Sequence, residues 1–251
     1  MRYELMFPYQ IRESLKQNWP VVFPIGVLEY HSEHLSVGVD GLIVERVIQL
    51  VENEVKNVVV MPTFWYGASS YAVAPPEGSG SLQIEADSLL VFAKDFFRSL
   101  IRVGYRNIHC FIFHQTENFD NGMPTDLAFR LGARQVLFEY LEENEGEGWW
   151  GEAKMADYYK EHEKRIDPFS WIQVHPLFDE RLKSVYSPDH AGKGETSLMM
   201  SLCPDGVDMT RFTDQKWYAR TAKDAAPELA EPVIALAVEK VKQDLGVVVK
   251  T

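Results

Sequence analysis

Continuous apolar runs alternate along this chain with stretches whose apolar residues recur every three or four positions. The first run, residues 21–28 (VVFPIGVL), is punctuated by Pro24 and Gly26 and predicts a short buried strand. The chain then turns polar at once, with Glu29, His31, Glu33 and His34 and, six residues after His34, Asp40. In residues 41–55, Ile43, Val44, Val47, Ile48 and Val51 share one helical face. Residues 58–61 (VVVM), closed by Pro62, predict a second buried strand. Strand, helix, strand in that order favours a parallel unit with a right-handed crossover.

Residues 63–87 are dense in Gly, Ser and Pro, and an irregular stretch of that length is uncommon unless it has a task. Trp65, Tyr66 and Tyr71 suit either a pocket wall or a covering loop. A helix from Asp87 carries Leu89, Phe92, Phe96, Leu100 and Val103 as its expected buried stripe, and Gly104 ends it. Residues 106–113 predict a third strand that runs into HQTENFDNG. Ligands of open α/β sheets gather beyond the carboxyl ends of strands, so His114, Gln115, Glu117 and Asn118 should share a rim with Glu29 and His31.

A helix through Leu137 and Leu141 follows, then a charged turn and the pair Trp149 and Trp150. That pair suits a lid over a site or packing against a neighbouring subunit. Residues 171–174 predict a late strand. His190 precedes a Gly-rich approach to a helix near Glu195, with Leu198, Met199 and Leu202 facing inward. A last amphipathic helix carries Leu229, Val233, Leu236, Val238 and Val241. Residues 1–20 look like a capping arm with a short helix at 11–16. With no repeat and no linker, residues 1–251 are expected to form a single α/β domain on a largely parallel sheet.

Composition narrows the function. Hydrophobic residues at 46% and charged ones at 25% are ordinary for a globular enzyme. A net charge of −12 argues against a nucleic-acid partner, because phosphates are repelled. Cys110 and Cys203 give no disulfide framework. The start MRYELMFPYQ lacks a signal-peptide pattern, and no apolar run suits a bilayer, so the expectation is a cytoplasmic protein with no membrane partner.

Chemistry enters with side-chain direction. Side chains two apart on an extended backbone point the same way, so Glu29 and His31 share a face. Carboxylate and imidazole converging at a strand end suggest a divalent-metal site; the plain alternative is a solvated acidic loop. The polar clusters at Glu29/His31/Asp40, at residues 114–117 and at His190/Glu195 each adjoin a core element and mix carboxylate with imidazole. Crowded carboxylates repel one another unless cations sit among them.

Taken together, these segments resemble the creatininase (creatinine amidohydrolase) family of metal-dependent amide hydrolases. Glu29, His31, His34 and Asp40 match its E-x-H-x-x-H-L-x-x-x-x-D signature, and HAGKGETSLMM resembles its HAG-x-x-ETS segment. YGASS (66–70) and GSGSL (78–82) resemble its loop motifs, which places Tyr66, Ser69 and Ser81, with Trp149 and Trp150, at the expected substrate site. The resemblance implies a three-layer αβα sandwich and a two-metal hydrolase of a small cyclic or related amide. It also implies a homo-oligomer, often a hexamer. It assigns Glu29 to one metal, His31 to the other, Asp40 to both, and Glu117 to the second metal's shell. His190 would be a general acid/base, with Glu195 a further acid/base or orienting carboxylate. The cofactors would be zinc or manganese, with magnesium or iron as further candidates, one or two per chain.

Two departures stand out. Ser32 and Glu33 replace residues that are often Gly and Pro in the family. In HQTEN the family's ligand histidine falls two residues before the glutamate, where this chain has Gln115, with His114 just before it. His114 could shift in by a local bulge and restore two tight ions, yet in a regular extended segment it points away. An amide oxygen is a poor substitute for imidazole on zinc, so this reading expects one tightly held ion. It also keeps open a ligand-binding homologue with an incomplete metal site.

Overall fold

The computed structural model describes residues 1–182 and 184–247. In chain order the helices and strands are α1 (Pro8–Lys16), β1 (Val21–Ile25), α2 (Val39–Glu54), β2 (Val59–Val60), α3 (Ala86–Val103), β3 (Ile108–Ile112), α4 (Pro124–Glu145), α5 (Tyr158–Glu163), β4 (Ile172–Pro176), α6 (Lys193–Leu202) and α7 (Glu231–Asp244). Short 3-10 turns join several of them. Helix starts follow local chemistry: Pro8 and Pro124 occupy first helical positions, and Gln10 and Asp126 accept the backbone N–H of Phe7 and Met123.

The four strands form one parallel sheet in the order β2–β1–β3–β4. Crossing from β1 to β2 goes one way, and from β2 to β3 back past β1. With right-handed crossovers, that reversal puts α2 and α3 on opposite faces. The core follows suit: α2, α6 and α7 pack on one face, α3 and α4 on the other. This is the three-layer αβα sandwich that the resemblance implies. The reversal also opens a crevice beyond the ends of β1 and β3, where such sheets bind ligands.

Pro24 sits in a central strand, which normally disfavours proline. The carbonyls of Val22 and Pro24 face β2, and β2 pairing ends at Val60, so the missing N–H falls where the ladder has already stopped. The N-terminal arm closes that edge: Arg2 bridges to Val60 and the terminal ammonium donates to the Val58 carbonyl at 2.6 Å.

The buried stripe of α3 differs from expectation. Leu89, Ala93, Phe97, Leu100 and Ile101 are buried, whereas Phe92 is 39% and Val103 41% exposed. Small residues decide this. Gly132 of α4 comes up against Ala93, so the two helices close on that line and the stripe swings with them. Phe92 and Phe96 instead stack on Phe64 and Phe23, ring centroids 4.7 and 4.2 Å apart. In α7, Leu229 precedes the helix, and Leu236 is 38% exposed, so Ala237 takes its inward place. Among the described residues no helix is long and apolar enough to cross a membrane.

Candidate metal centre

The end of β1 and the start of α2 touch. A Cβ on Gly26 would lie 2.4 Å from the Gly41 nitrogen, so the contact needs glycine. That contact brings Asp40, in the first turn of α2, under the loop that carries Glu29 and His31. The loop is pinned from outside: Tyr30 N–H donates to Ser81 Oγ at 2.9 Å, and the His34 ring lies 3.0 Å from Thr196 Oγ1 on α6. His34, though part of the signature, is a strut here.

His31 Nδ1 lies 3.0 Å from its neighbour's carbonyl, Glu29 O, so Nδ1 carries the proton and Nε2 the lone pair. Nε2 is buried without a hydrogen-bond partner, 3.9 Å from Asp40 Oδ1 and 3.6 Å from Glu195 Oε2. Burial lowers the His31 pKa, which keeps the ring neutral and able to ligate. On the other side of Asp40, Oδ2 also lacks a hydrogen-bond partner and lies 3.3 Å from His114 Nδ1, which is 3.7 Å from Glu29 Oε2. Among the described residues three groups of close donor atoms result: Glu29/Asp40/His114 and His31/Asp40/Glu195, which share Asp40, and Glu29/His31/His190. Carboxylate and imidazole atoms gathered this closely, with His31 Nε2 and Asp40 Oδ2 lacking a hydrogen-bond partner, fit divalent ions.

Electrostatics agree. Burial, with Asp40 adding to it, raises the Glu29 pKa to about 8, although His114 opposes the rise. Burial and then Asp40 also raise that of Glu195. Burial works to lower the His114 pKa, but Asp40 and Glu29 outweigh it and raise the value. Left to itself the cluster draws in protons, the response of a group of carboxylates short of positive charge.

His114, not Gln115, stands beside Glu29 and Asp40, so of the two candidates the imidazole takes the place and the amide oxygen preferred from sequence does not. Gln115, three residues beyond the end of β3, takes the left-handed conformation (φ 50°, ψ 39°), so the extended run stops at His114. The following turn carries Glu117 to an exposed place on the pocket rim, where it accepts from Asn118 Nδ2 at 3.1 Å. Glu117 joins none of these groups, and Glu195 stands with His31 and Asp40 in the place expected for it.

α6 delivers Glu195. Asp189 Oδ2 and Oδ1 accept the N–H groups of Gly194 and Glu195 at 2.6 and 3.1 Å, and Glu195 Oε2 accepts the Ala191 N–H at 2.7 Å. Gly192 is required because a Cβ there would meet Asp189 Oδ2 at 2.5 Å. An Asp ahead of a helix start is a readable signal, yet Asp189 was not among the expected site residues. Tyr218, which no pattern singles out, packs edge-on to His190 and donates to the Val73 carbonyl at 3.2 Å.

His190 Nε2 lies 2.9 Å from the Tyr30 carbonyl, so it carries the proton and leaves Nδ1, 3.8 Å from Glu29 Oε2, as the basic atom. Burial, with His31 next in weight, lowers its pKa to about 4, so the ring is neutral near pH 7. Over these groups lies a pocket of 160 Å³.

The expected substrate contacts lie elsewhere. Ser69 and Ser81 are buried in hydrogen bonds that shape the loops, Ser69 Oγ donating to the Leu82 carbonyl. Their neighbour Ser70 faces the pocket. Tyr66 is 52% exposed and packs edge-on to Phe64, outside the pocket lining. Trp149 and Trp150 border a separate hollow with Tyr158, Tyr159 and Phe169. Their turn follows the far end of α4, so among the described residues they form no lid over the site.

Known proteins resemble this chain in sequence and in fold. The sequence model of the family described as "Creatinine amidohydrolase" matches residues 5–248. The creatinine amidohydrolase of Pseudomonas putida is 26% identical over 198 residues, 77% of this chain and 68% of that protein. A crystal structure of creatinine amidohydrolase (creatininase) superposes with a TM-score of 0.74 at 19% identity, covering 98% of this chain and 96% of that one. A structure described as "Creatininase Mn" gives 0.70 at 20% identity, covering 96% of each. With donor sets at the sheet's switch point and a family match across nearly its whole length, the chain belongs to the creatinine amidohydrolase (creatininase) family.

Proposed function

We propose that this protein hydrolyses a C–N bond of a small cyclic or related amide at a centre of two divalent ions, with His190 moving the proton. The observation that carries the reading is the single carboxylate of Asp40, shared between two buried donor sets in which His31 Nε2 and Asp40 Oδ2 lack a hydrogen-bond partner. Glu29, Asp40 and His114 would hold one ion, and His31, Asp40 and Glu195 the other. Mixed nitrogen and oxygen donors suit zinc and manganese. Related creatininase structures include a manganese form, a Zn–Zn variant and a variant with creatine. When bound, the ions polarise the amide carbonyl and lower the pKa of coordinated water.

The chain's own groups do the rest. Tyr30 O holds the His190 tautomer, so Nδ1 faces the pocket as a base. It takes a proton from the attacking water and returns it to the departing nitrogen. Burial keeps that nitrogen unprotonated and ready at neutral pH. The reading of a ligand-binding homologue rested on a missing imidazole, and His114 supplies one. The proposal also includes a cytoplasmic homo-oligomer, in which the exposed Trp150 and Tyr159 face a neighbouring subunit.

Elemental analysis of protein purified without chelator, followed by a ring-opening assay on creatinine and other small cyclic amides, tests this. Two ions per chain and turnover that stops on chelation are expected. Protein that retains no divalent ion and opens none of these rings would defeat the proposal.

A further inference from the structure

We infer that the pocket over the donor sets continues into a second chamber that binds a ring-sized apolar group carried by the amide substrate. The inference rests on the metal-hydrolase reading of the first chamber and extends it to the substrate's non-reacting part. The second chamber measures 250 Å³ and shares Thr116, Glu117, Tyr186 and Pro188 with the first. A cavity of roughly 150 Å³ accommodates benzene. The first chamber, at 160 Å³, therefore has room for a compact amide, and the second for a further ring.

The second chamber's inner wall is aromatic and aliphatic. Buried Phe178 and Leu182 form its base, with Phe119 at the side. Phe178 meets Phe113 of the first chamber edge-on at 5.0 Å, and Tyr186, common to both, at 4.8 Å. A continuous line of rings thus links the two spaces, and aromatic edges favour an aromatic or cycloalkyl guest. Four carboxylates also line the chamber: Asp179 is clamped by Arg181 at 2.6 Å, and Glu117, Asp120 and Glu180 are exposed to solvent. The buried base, Phe178 and Leu182, offers only ring and aliphatic surface, so it takes an apolar group. The substrate class is an amide with a ring-sized apolar appendage next to the scissile bond or one short linker away.

Hydroxamates, which chelate divalent ions, separate this inference from the reading beneath it. Zinc- or manganese-loaded protein is titrated calorimetrically with acetohydroxamate and with 3-phenylpropionohydroxamate. The phenyl compound should bind about tenfold tighter, the effect of burying roughly 60 Å² of apolar surface. Phe119→Ala, which removes one wall, and Asp120→Trp, which narrows the mouth from an exposed position, should each shrink that ratio. Equal binding of the two hydroxamates, or a ratio indifferent to both substitutions, overturns the chamber while the metal reading stands. Failure of both to bind, with no ion retained, overturns the metal reading and the chamber with it.

Discussion

His114 Nδ1 lies 3.3 Å from Asp40 Oδ2, although the spacing of the polar residues pointed to the next position along. This relationship fixes which residue controls the first ion. His114→Ala should cost that ion, lowering the count per chain toward one. Gln115→Ala should leave the count as it is. Gln115→His should add nothing, because the left-handed turn has already carried position 115 out of line. Metal counts on the three variants decide the matter, and a Gln115→Ala protein that loses its ion would reverse the assignment.

Asp40→Asn should affect both ions together. Protein saturated at 100 times the dissociation constant gains about 2.7 kcal/mol from its ligand, and this variant should forfeit most of that. Without metal the order should invert. Asp40 is a source of repulsion for Glu29 and Glu195, so the metal-free variant should melt no lower than the metal-free wild type. Thermal denaturation with and without zinc checks both halves.

His190→Ala should keep its metal and lose turnover by roughly 10²–10⁴-fold, the usual span of general acid–base effects. Loss of ions in this variant would make His190 a ligand, as its 3.8 Å approach to Glu29 would also allow.

Much of the architecture can be read from apolar periodicity, because buried strands and one-sided helices leave repeating marks. The α3 stripe could not be, since Ala93 and Gly132 outrank larger residues only once α4 is in place. The strand ends could be located, and so could Glu29, His31 and Asp40. One left-handed residue, Gln115, was enough to exchange His114 for its neighbour and to turn Glu117 outward. Ser69 and Ser81 were misplaced for a related reason: polar residues in loops serve the backbone as often as a ligand, and only their partners distinguish the two. Trp149 and Trp150 carry no sequence mark of which hollow they border.

Histidines away from the site give the fold its own acid sensitivity. His109 is buried beneath α7, 3.1 Å from the His175 ring, and burial lowers its pKa from 6.5 to about 4. Between those values the unfolded chain binds a proton that the folded chain refuses. The stabilisation is therefore complete above pH 6.5 and drains away as the pH falls toward 4, by an amount on the order of 3 kcal/mol. Urea denaturation at pH 7.5 and pH 5 should give a smaller difference for His109→Gln than for the wild type. An unaltered difference would mean that His109 titrates normally.

The register of β1 against β3, Val21 on Ile108, joins segments that are far apart in sequence. Such pairings close late, because the long intervening loop must be ordered before any contact offsets it. During synthesis Glu29, His31 and Asp40 emerge well before His114, and Glu195 follows later still. A nascent chain thus holds two of the three residues of each donor set and has no means of completing either. Tight capture of a divalent ion is consequently a property of the finished sheet, and its onset during refolding marks the moment when the first and third strands lie side by side.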